Sequence, residues 1–357
     1  MNFTLQSNLR RAIVILLLVA VAGIAALWLE RRSEIELPAP TGPFAVGRAI
    51  YDWAGDGHEV LAWIWYPAAT PRSPVTEPYV PAPMLAAVAR RRAGVWRWLT
   101  HDWAKVRPHA LRDAEVSPRQ RSYPVVIFRG GASAEVVNYT TLVEDLASHG
   151  YVVVGIDAPG RTGIVVLPDG RVIERESNPE MCPSCIDKLL AAWTADIGFA
   201  LDRLAQLDGR FAGRLDMTRV GVFGHSFGGA QAAQFCSVDP RCKAGIDVDG
   251  LLLGSVVQTG IHKPFMFLLS DHSRESGPEH DRVERDLRSV YDRLPPASRR
   301  YVVIPGANHF TFSDDGTVLK SRVVRAMMRL FGILRIDARR QVAIAAESIH
   351  TFFDAHL

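Results

Sequence analysis

Arg219-Val220-Gly221-Val222-Phe223-Gly224-His225-Ser226-Phe227-Gly228-Gly229-Ala230-Gln231-Ala232-Ala233-Gln234-Phe235 is the stretch that decides how this chain reads. An apolar, β-branched run (Arg219–Phe223) leads into Gly-x-Ser-x-Gly, and a helix signal (Ala230–Phe235) leads out of it. Gly and Ser are common, so the pentapeptide alone says little. Set between a strand and a helix, it predicts a sharp turn that lifts the Ser226 hydroxyl above a sheet edge. Gly224 and Gly228 leave room where the backbone doubles back. The helix that follows points its amino end at the site, which favours developing negative charge. The Phe227 N–H is then a natural oxyanion donor.

A serine hydroxyl is a weak nucleophile, so it needs a base, and the base needs an orienting carboxylate. Behind a turn of this kind the chain order is Ser, acid, His. His309, in Gly306-Ala307-Asn308-His309-Phe310, directly follows the strand signal Tyr301–Ile304 and is the expected base. His262 precedes a strand, His280 opens a helix, His350 and His356 lie near the carboxyl end, and His272 follows an earlier strand. For the acid, position leaves two residues open. Asp249 ends the run Ala244–Val248, and Asp271 ends Pro264–Leu269. Asp247 shares a strand face with Asp249 but lies deeper, as a buried structural carboxylate in need of partners.

Working outward, short apolar runs recur at Val60–Tyr66, Pro124–Phe128, Tyr151–Ile156, Ala244–Val248, Pro264–Leu269 and Tyr301–Ile304. Most are continuous rather than alternating, as in strands covered on both faces. Helical patterns lie at Tyr139–His149, Ile186–Leu207, Ser226–Cys236, Glu279–Leu294, Val318–Phe331 and Ala338–Phe353. The alternation predicts an α/β fold: a mostly parallel central sheet with helices on both faces. The stretch from Pro67 to Ser122 breaks the rhythm. It is rich in Pro and Arg, carries Trp96, Trp98 and Trp103, and suggests a helix near Met84–Leu99. It reads as a surface excursion or a cap over the site, or as a face touching lipid headgroups.

At the amino end, Ala12 to Leu29 carry no charge, with Arg10 and Arg11 before them and Glu30, Arg31 and Arg32 after. A helix of that length falls just short of a bilayer core of about 30 Å. We read residues 1–32 as a membrane anchor with the remainder extracytoplasmic, or as a signal segment cut near Ala20-Val21-Ala22. Residues 33–58 read as linker and domain entry, with Pro38–Pro43 as a stiff spacer, and 59–357 as the catalytic domain. Across its 357 residues the chain is 48% hydrophobic and 22% charged, too apolar for disorder. Its net charge of +3, without a basic stripe, excludes a nucleic-acid partner. No metal-ligand or cofactor pattern is present, so neither is expected.

Gly224-His225-Ser226-Phe227-Gly228-Gly229-Ala230 resembles the nucleophile turn of the plasma-type platelet-activating factor acetylhydrolases, the lipoprotein-associated phospholipase A2 kind. Trp65-Tyr66-Pro67, Leu146-Ala147-Ser148-His149-Gly150-Tyr151, Gly245-Ile246-Asp247-Val248-Asp249-Gly250 and Gly306-Ala307-Asn308-His309 resemble further segments of that family, in the same order. The resemblance spans roughly residues 60–315 and implies an α/β-hydrolase fold. It implies Asp249 as the acid, and Ala132 as a second oxyanion donor within Arg129-Gly130-Gly131-Ala132-Ser133. Here the chain departs from the family, with Gly130 in place of a His and Ser133 in place of a Gly. The implied activity is serine-dependent hydrolysis of short-acyl or oxidised phospholipids, or of related small esters, without calcium or another cofactor. The same residues would also suit a polyester hydrolase, an acyltransferase, or a non-catalytic envelope binding or scaffold protein.

The chain has four cysteines. Cys236 and Cys242 flank the step from the Ser226 helix to the strand carrying Asp249, and Cys182 and Cys185 form a Cys-x-x-Cys. In an oxidising compartment two structural disulfides are expected.

Overall fold

The computed structural model describes residues 2–91, 94, 98–175 and 183–357. Eight strands form the central sheet: β1 (Ala45–Gly55), β2 (His58–Ala68), β3 (Tyr123–Arg129), β4 (Val152–Asp157), β5 (Leu215–His225), β6 (Cys242–Val248), β7 (Phe265–Leu269) and β8 (Arg299–Val303). Their order across the sheet is β1-β2-β4-β3-β5-β6-β7-β8. β2 pairs antiparallel with β1 and β4, and every other pairing is parallel. Crossover connections place all parallel-strand carboxyl ends along one edge, where catalytic groups of such sheets collect. The fold is that of the α/β-hydrolases.

Among the described residues, the helices longer than one turn are α1 (Asn2–Arg32), α2 (Ala82–Arg91), α3 (Thr140–Ser148), α4 (Pro183–Ala205), α5 (Phe227–Val238), α6 (Pro278–Arg293), α7 (Arg322–Leu330) and α8 (Ala338–His356). Both sheet faces are covered, which is why the strands read as unbroken apolar runs. On one face Val126, Phe128, Val153 and Ile246 pack with Leu142 and Leu146 of α3 and with Ala345 and Ile349 of α8. On the other, Val125, Ile127, Val154 and Val222 pack with Ile197 and Leu201 of α4, Ala233 of α5 and Val290 of α6.

Three expectations need correction. Residues 45–55, within the stretch read as linker and domain entry, form a full edge strand of the sheet. The hairpin closes through Asp56 and Gly57, both at positive φ (53° and 79°), the two-residue turn whose twist suits paired strands. Second, the linker segment before it is latched to the body. Thr41 N and Oγ1 donate to Asp145 Oδ1 (2.9 and 2.8 Å), and Gly42 N donates to Ser148 Oγ (2.9 Å). Third, the helix expected over Val318–Phe331 begins only at Arg322, where Ser321 Oγ caps it by accepting from Val324 N (3.1 Å).

Of the helix expected near Met84–Leu99, α2 accounts for the first part, burying Met84, Ala87 and Val88. Residues 92, 93 and 95–97, with Trp96, lie outside the described residues. Trp103 is buried and Trp98 is exposed. Within the excursion, Thr100 forms a β-bridge with Lys320. A disulfide joins Cys236 to Cys242 (Cα–Cα 5.1 Å), tying α5 to β6. Cys182 lies outside the described residues, and with it the second expected pairing.

Candidate active site

Strand β5 ends at His225 and α5 begins at Phe227, so Ser226 alone makes the turn. It does so with φ 57° and ψ −122°, a conformation costly for a residue with a Cβ and typical of functional turns. Its N–H donates to Val248 O (2.9 Å), which pins the turn to the end of β6. The flanking glycines are there for close approach. A Cβ on Gly228 would sit 2.2 Å from Arg129 O, and one on Gly224 2.3 Å from the Gly228 backbone. The Phe227 N–H, in the first turn of α5, has no helical carbonyl to bond and is free for an oxyanion.

His309 opens a short turn after β8, and the Asn308 side chain caps it by accepting from Phe310 N. His309 Nε2 lies 3.1 Å from Ser226 Oγ, and Nδ1 lies 2.7 Å from Asp249 Oδ2. Asp249 follows β6, itself at positive φ (53°). Its carboxylate also accepts from Ser270 N (2.7 Å) and Ser270 Oγ (2.8 Å). Burial alone would raise its pKa. Hydrogen bonds from His272 and His309 outweigh that and hold it far below the usual carboxylate range, so Asp249 stays ionised.

The other candidate acid does a different job. Asp271 Oδ2 accepts from Gly306 N (2.7 Å) and pairs with Arg335 (3.0 Å), while Oδ1 accepts from Ser273 N (3.1 Å). Those hydrogen bonds, first that of Ser273 and then that of Gly306, pull it down to about 2. Asp271 thus braces the loop that delivers His309 rather than touching its ring. Asp247 is fully buried, accepts only from Gly250 N (2.8 Å), and leaves Oδ2 unpartnered. Desolvation pushes it up to about 8, so it sits beneath the turn as a neutral acid.

The loop 129–133 runs beside Ser226. A Cβ on Gly131 would lie 3.3 Å from Ser226 Cβ. Ala132 is exposed at the loop tip and lines a cavity of about 410 Å³ with Val88, Leu99 and Ile164. A separate cleft of about 710 Å³ holds Ser226, His309, Asp249 and His272.

Sequence reasoning passed over two residues that join these parts. Tyr139 OH accepts from Gly131 N (3.2 Å) and donates to His225 Nδ1 (2.9 Å), and His225 Nε2–H donates to the His309 carbonyl (2.9 Å). One chain of hydrogen bonds therefore ties the loop 129–133 to the loop that carries His309. Burial, and then the neighbouring His309, push His225 down to about 3, so its ring is neutral and able to accept from Tyr139. The position between Gly224 and Ser226 was the available hint. Nothing in the spacing pointed to Tyr139. His272, set aside as a base, lies against Asp249, with Nε2 2.9 Å from Oδ1.

The model of the platelet-activating factor acetylhydrolase, isoform II, family matches residues 29–165 and 199–357. The chain belongs to this family. Among its relatives, a probable 1-alkyl-2-acetylglycerophosphocholine esterase of Arthroderma benhamiae is 25% identical over 91% of this chain and 89% of its own. The platelet-activating factor acetylhydrolase of Cavia porcellus is 25% identical over 66% of this chain and 58% of its own. Among solved structures, a ferulic acid esterase from Streptomyces cinnamoneus superposes with a TM-score of 0.73 at 26% identity, covering 91% of this chain and 94% of that one. The family, its relatives and this structural neighbour make the chain a serine carboxylic ester hydrolase.

Proposed function

We propose that Ser226, His309 and Asp249 are the catalytic triad of this hydrolase. The observation that carries the reading is the unbroken chain Asp249 Oδ2–His309 Nδ1 (2.7 Å), His309 Nε2–Ser226 Oγ (3.1 Å), ending on a strained turn. Ser226 Oγ attacks the ester carbonyl carbon while His309 Nε2 takes its proton. The oxyanion is held by the N–H groups of Phe227 and Ala132. His309 returns the proton to the departing alcohol, leaving an acyl group on Ser226. Water then attacks that acyl group, again with His309 as base, and the acid departs. Asp249 remains ionised throughout, fixes the imidazole tautomer and stabilises the imidazolium. Ser226→Ala should abolish turnover of p-nitrophenyl butyrate and labelling by a fluorophosphonate. Retained turnover in that variant would end the assignment.

For substrate, we propose short-acyl or oxidised phospholipids and related small esters. The names of the relatives support this, as does an approach to the site that suits lipid. Among the described residues one helix is long and apolar enough to cross a membrane, with Arg10–Arg32 at mean hydropathy 2.9 and unburied. Where it meets the body, Glu30 accepts from Arg322 N (2.5 Å) at the start of α7. α7 and its exit turn direct Val323, Met327, Leu330, Phe331 and Ile333 to solvent, and Phe310 beside the base is exposed as well. An apolar face next to an apolar anchor supports a body resting on the bilayer. Rates across an acyl-length series, offered in vesicles and as monomers, test the reading. Equal rates for acetyl and long unoxidised acyl chains would refute it.

A further inference from the structure

Asp249 is flanked by two imidazoles. His309 takes Oδ2, and His272 Nε2 stands 2.9 Å from Oδ1. The other nitrogen of His272, Nδ1, is 2.7 Å from Glu275 Oε1. A ring with a carboxylate oxygen at each nitrogen has two acceptors to satisfy, and only the imidazolium supplies two N–H donors. Ser270 Oγ, 3.1 Å from Nε2, completes the cluster while donating to Asp249 Oδ2. His272 is about one-third exposed and lines the same cleft as Ser226 and His309.

We propose that His272 is a positioning residue for the triad: a second, cationic imidazole that holds Asp249 against His309 and weakens the pull of Asp249 on the proton of the base. The inference rests on the triad reading above. The hydrogen bond to Asp249, offset in part by burial and reinforced by Glu275, raises the pKa of His272 to about 9, so the ring keeps its charge across neutral pH.

The physical consequence follows from like charges on either side of one carboxylate. In the resting enzyme the His272 cation cancels part of the field that Asp249 exerts on His309. His309 therefore meets less negative field than it would beside a lone aspartate. The remaining neighbours do not supply this effect. His225, ring to ring with His309 at 4.6 Å, is buried and neutral. Asp271 is committed to Gly306 and Arg335. His280, whose ring centre lies 6.3 Å from that of His272, faces Glu275 and Glu284 at the start of α6, and Glu279 lines the same cleft.

The test is the pH dependence of kcat/KM on p-nitrophenyl butyrate for the full chain and for His272→Gln, which keeps an N–H donor without the charge. The acid limb of the variant should move to higher pH by about half to one unit, with the plateau kcat reduced less than tenfold. Glu275→Gln provides a second arm, since losing that carboxylate lowers the pKa of His272. The alkaline inflection expected from this ring in wild type, near pH 9, should then appear at lower pH. A variant acid limb that coincides with wild type, together with an unmoved alkaline inflection in Glu275→Gln, overturns the proposal. If His272→Gln fails to fold, the Glu275→Gln inflection and the ring 15N shifts of His272 at pH 7 decide it, and a neutral ring overturns it. Fluorophosphonate labelling of wild-type Ser226 separates the two layers. Absent labelling sinks the triad reading, whereas labelling with unmoved profiles sinks only the role of His272.

Discussion

Replacing Tyr139 by Phe removes one oxygen and leaves the ring, which stays packed on Phe128 (4.9 Å) and His225 (5.6 Å). That oxygen is the shared partner of Gly131 N and His225 Nδ1. Both groups are buried, so the change strands one donor and one acceptor with no route to water. At about 1–3 kcal/mol for each of the two stranded groups, the expected loss of stability is about 2–6 kcal/mol. The kinetic effect comes from what the bond positions. Gly131 precedes the proposed oxyanion donor Ala132, and His225 holds the carbonyl of His309. Outright loss of an oxyanion donor costs about 10²–10³ in kcat. A donor that is only loosened should cost about tenfold, with KM little changed, because the oxyanion exists only in the transition state. Urea unfolding gives the stability, and initial rates with p-nitrophenyl butyrate give kcat and KM. A variant destabilised as expected but with wild-type kcat would show that the hydroxyl supports the fold and not the site. A variant unchanged in both would refute the hydrogen-bond chain itself.

Asp249→Asn should lower kcat by roughly 10³–10⁴, whereas Asp271→Asn, which only loosens the loop of the base, should cost about ten- to a hundredfold; equal losses would refute the division of labour between the two carboxyls. Asp247 keeps its proton in the folded protein up to about pH 8 but loses it near pH 4 when unfolded, so its contribution is whole below pH 4 and fades as pH rises towards 8. Between pH 6.5 and 8, above the range in which His225 titrates on unfolding, Asp247→Asn should flatten the fall in stability by up to about 1.4 kcal/mol per pH unit; parallel wild-type and variant curves would contradict the neutral state. Opening the Cys236–Cys242 bridge with Cys236→Ala/Cys242→Ala closes no loop in the unfolded chain and, for a separation of 6 residues, should cost about 2 kcal/mol in urea unfolding, with no change in KM.

Much of this protein was legible in one dimension because the signals are local. Continuous apolar runs mark strands covered on both faces, and Gly-x-Ser-x-Gly between a strand and a helix forces a turn whichever helices lie around it. Strand β1 was not legible within the stretch read as linker and domain entry (residues 33–58), because Gly47 and Gly55 interrupt its pattern and its place is set by pairing with β2 rather than by its own propensity. The choice between Asp249 and Asp271 lay beyond local reading as well. Each follows one of two neighbouring parallel strands at nearly the same height, so residue order and strand ends describe them alike. Side-chain direction separates them: Asp249 turns towards the ring of His309, and Asp271 turns towards the backbone of Gly306. Tyr139, His225 and His272 each bond a partner far along the chain, 86, 84 and 23 residues away. The sequence by itself therefore determined which chemistry the chain carries, since a nucleophile turn and a histidine after the last strand are local patterns. Only the tertiary structure decided which groups hold that chemistry in place, because hydrogen bonds act over about 3 Å of space and are indifferent to distance along the chain.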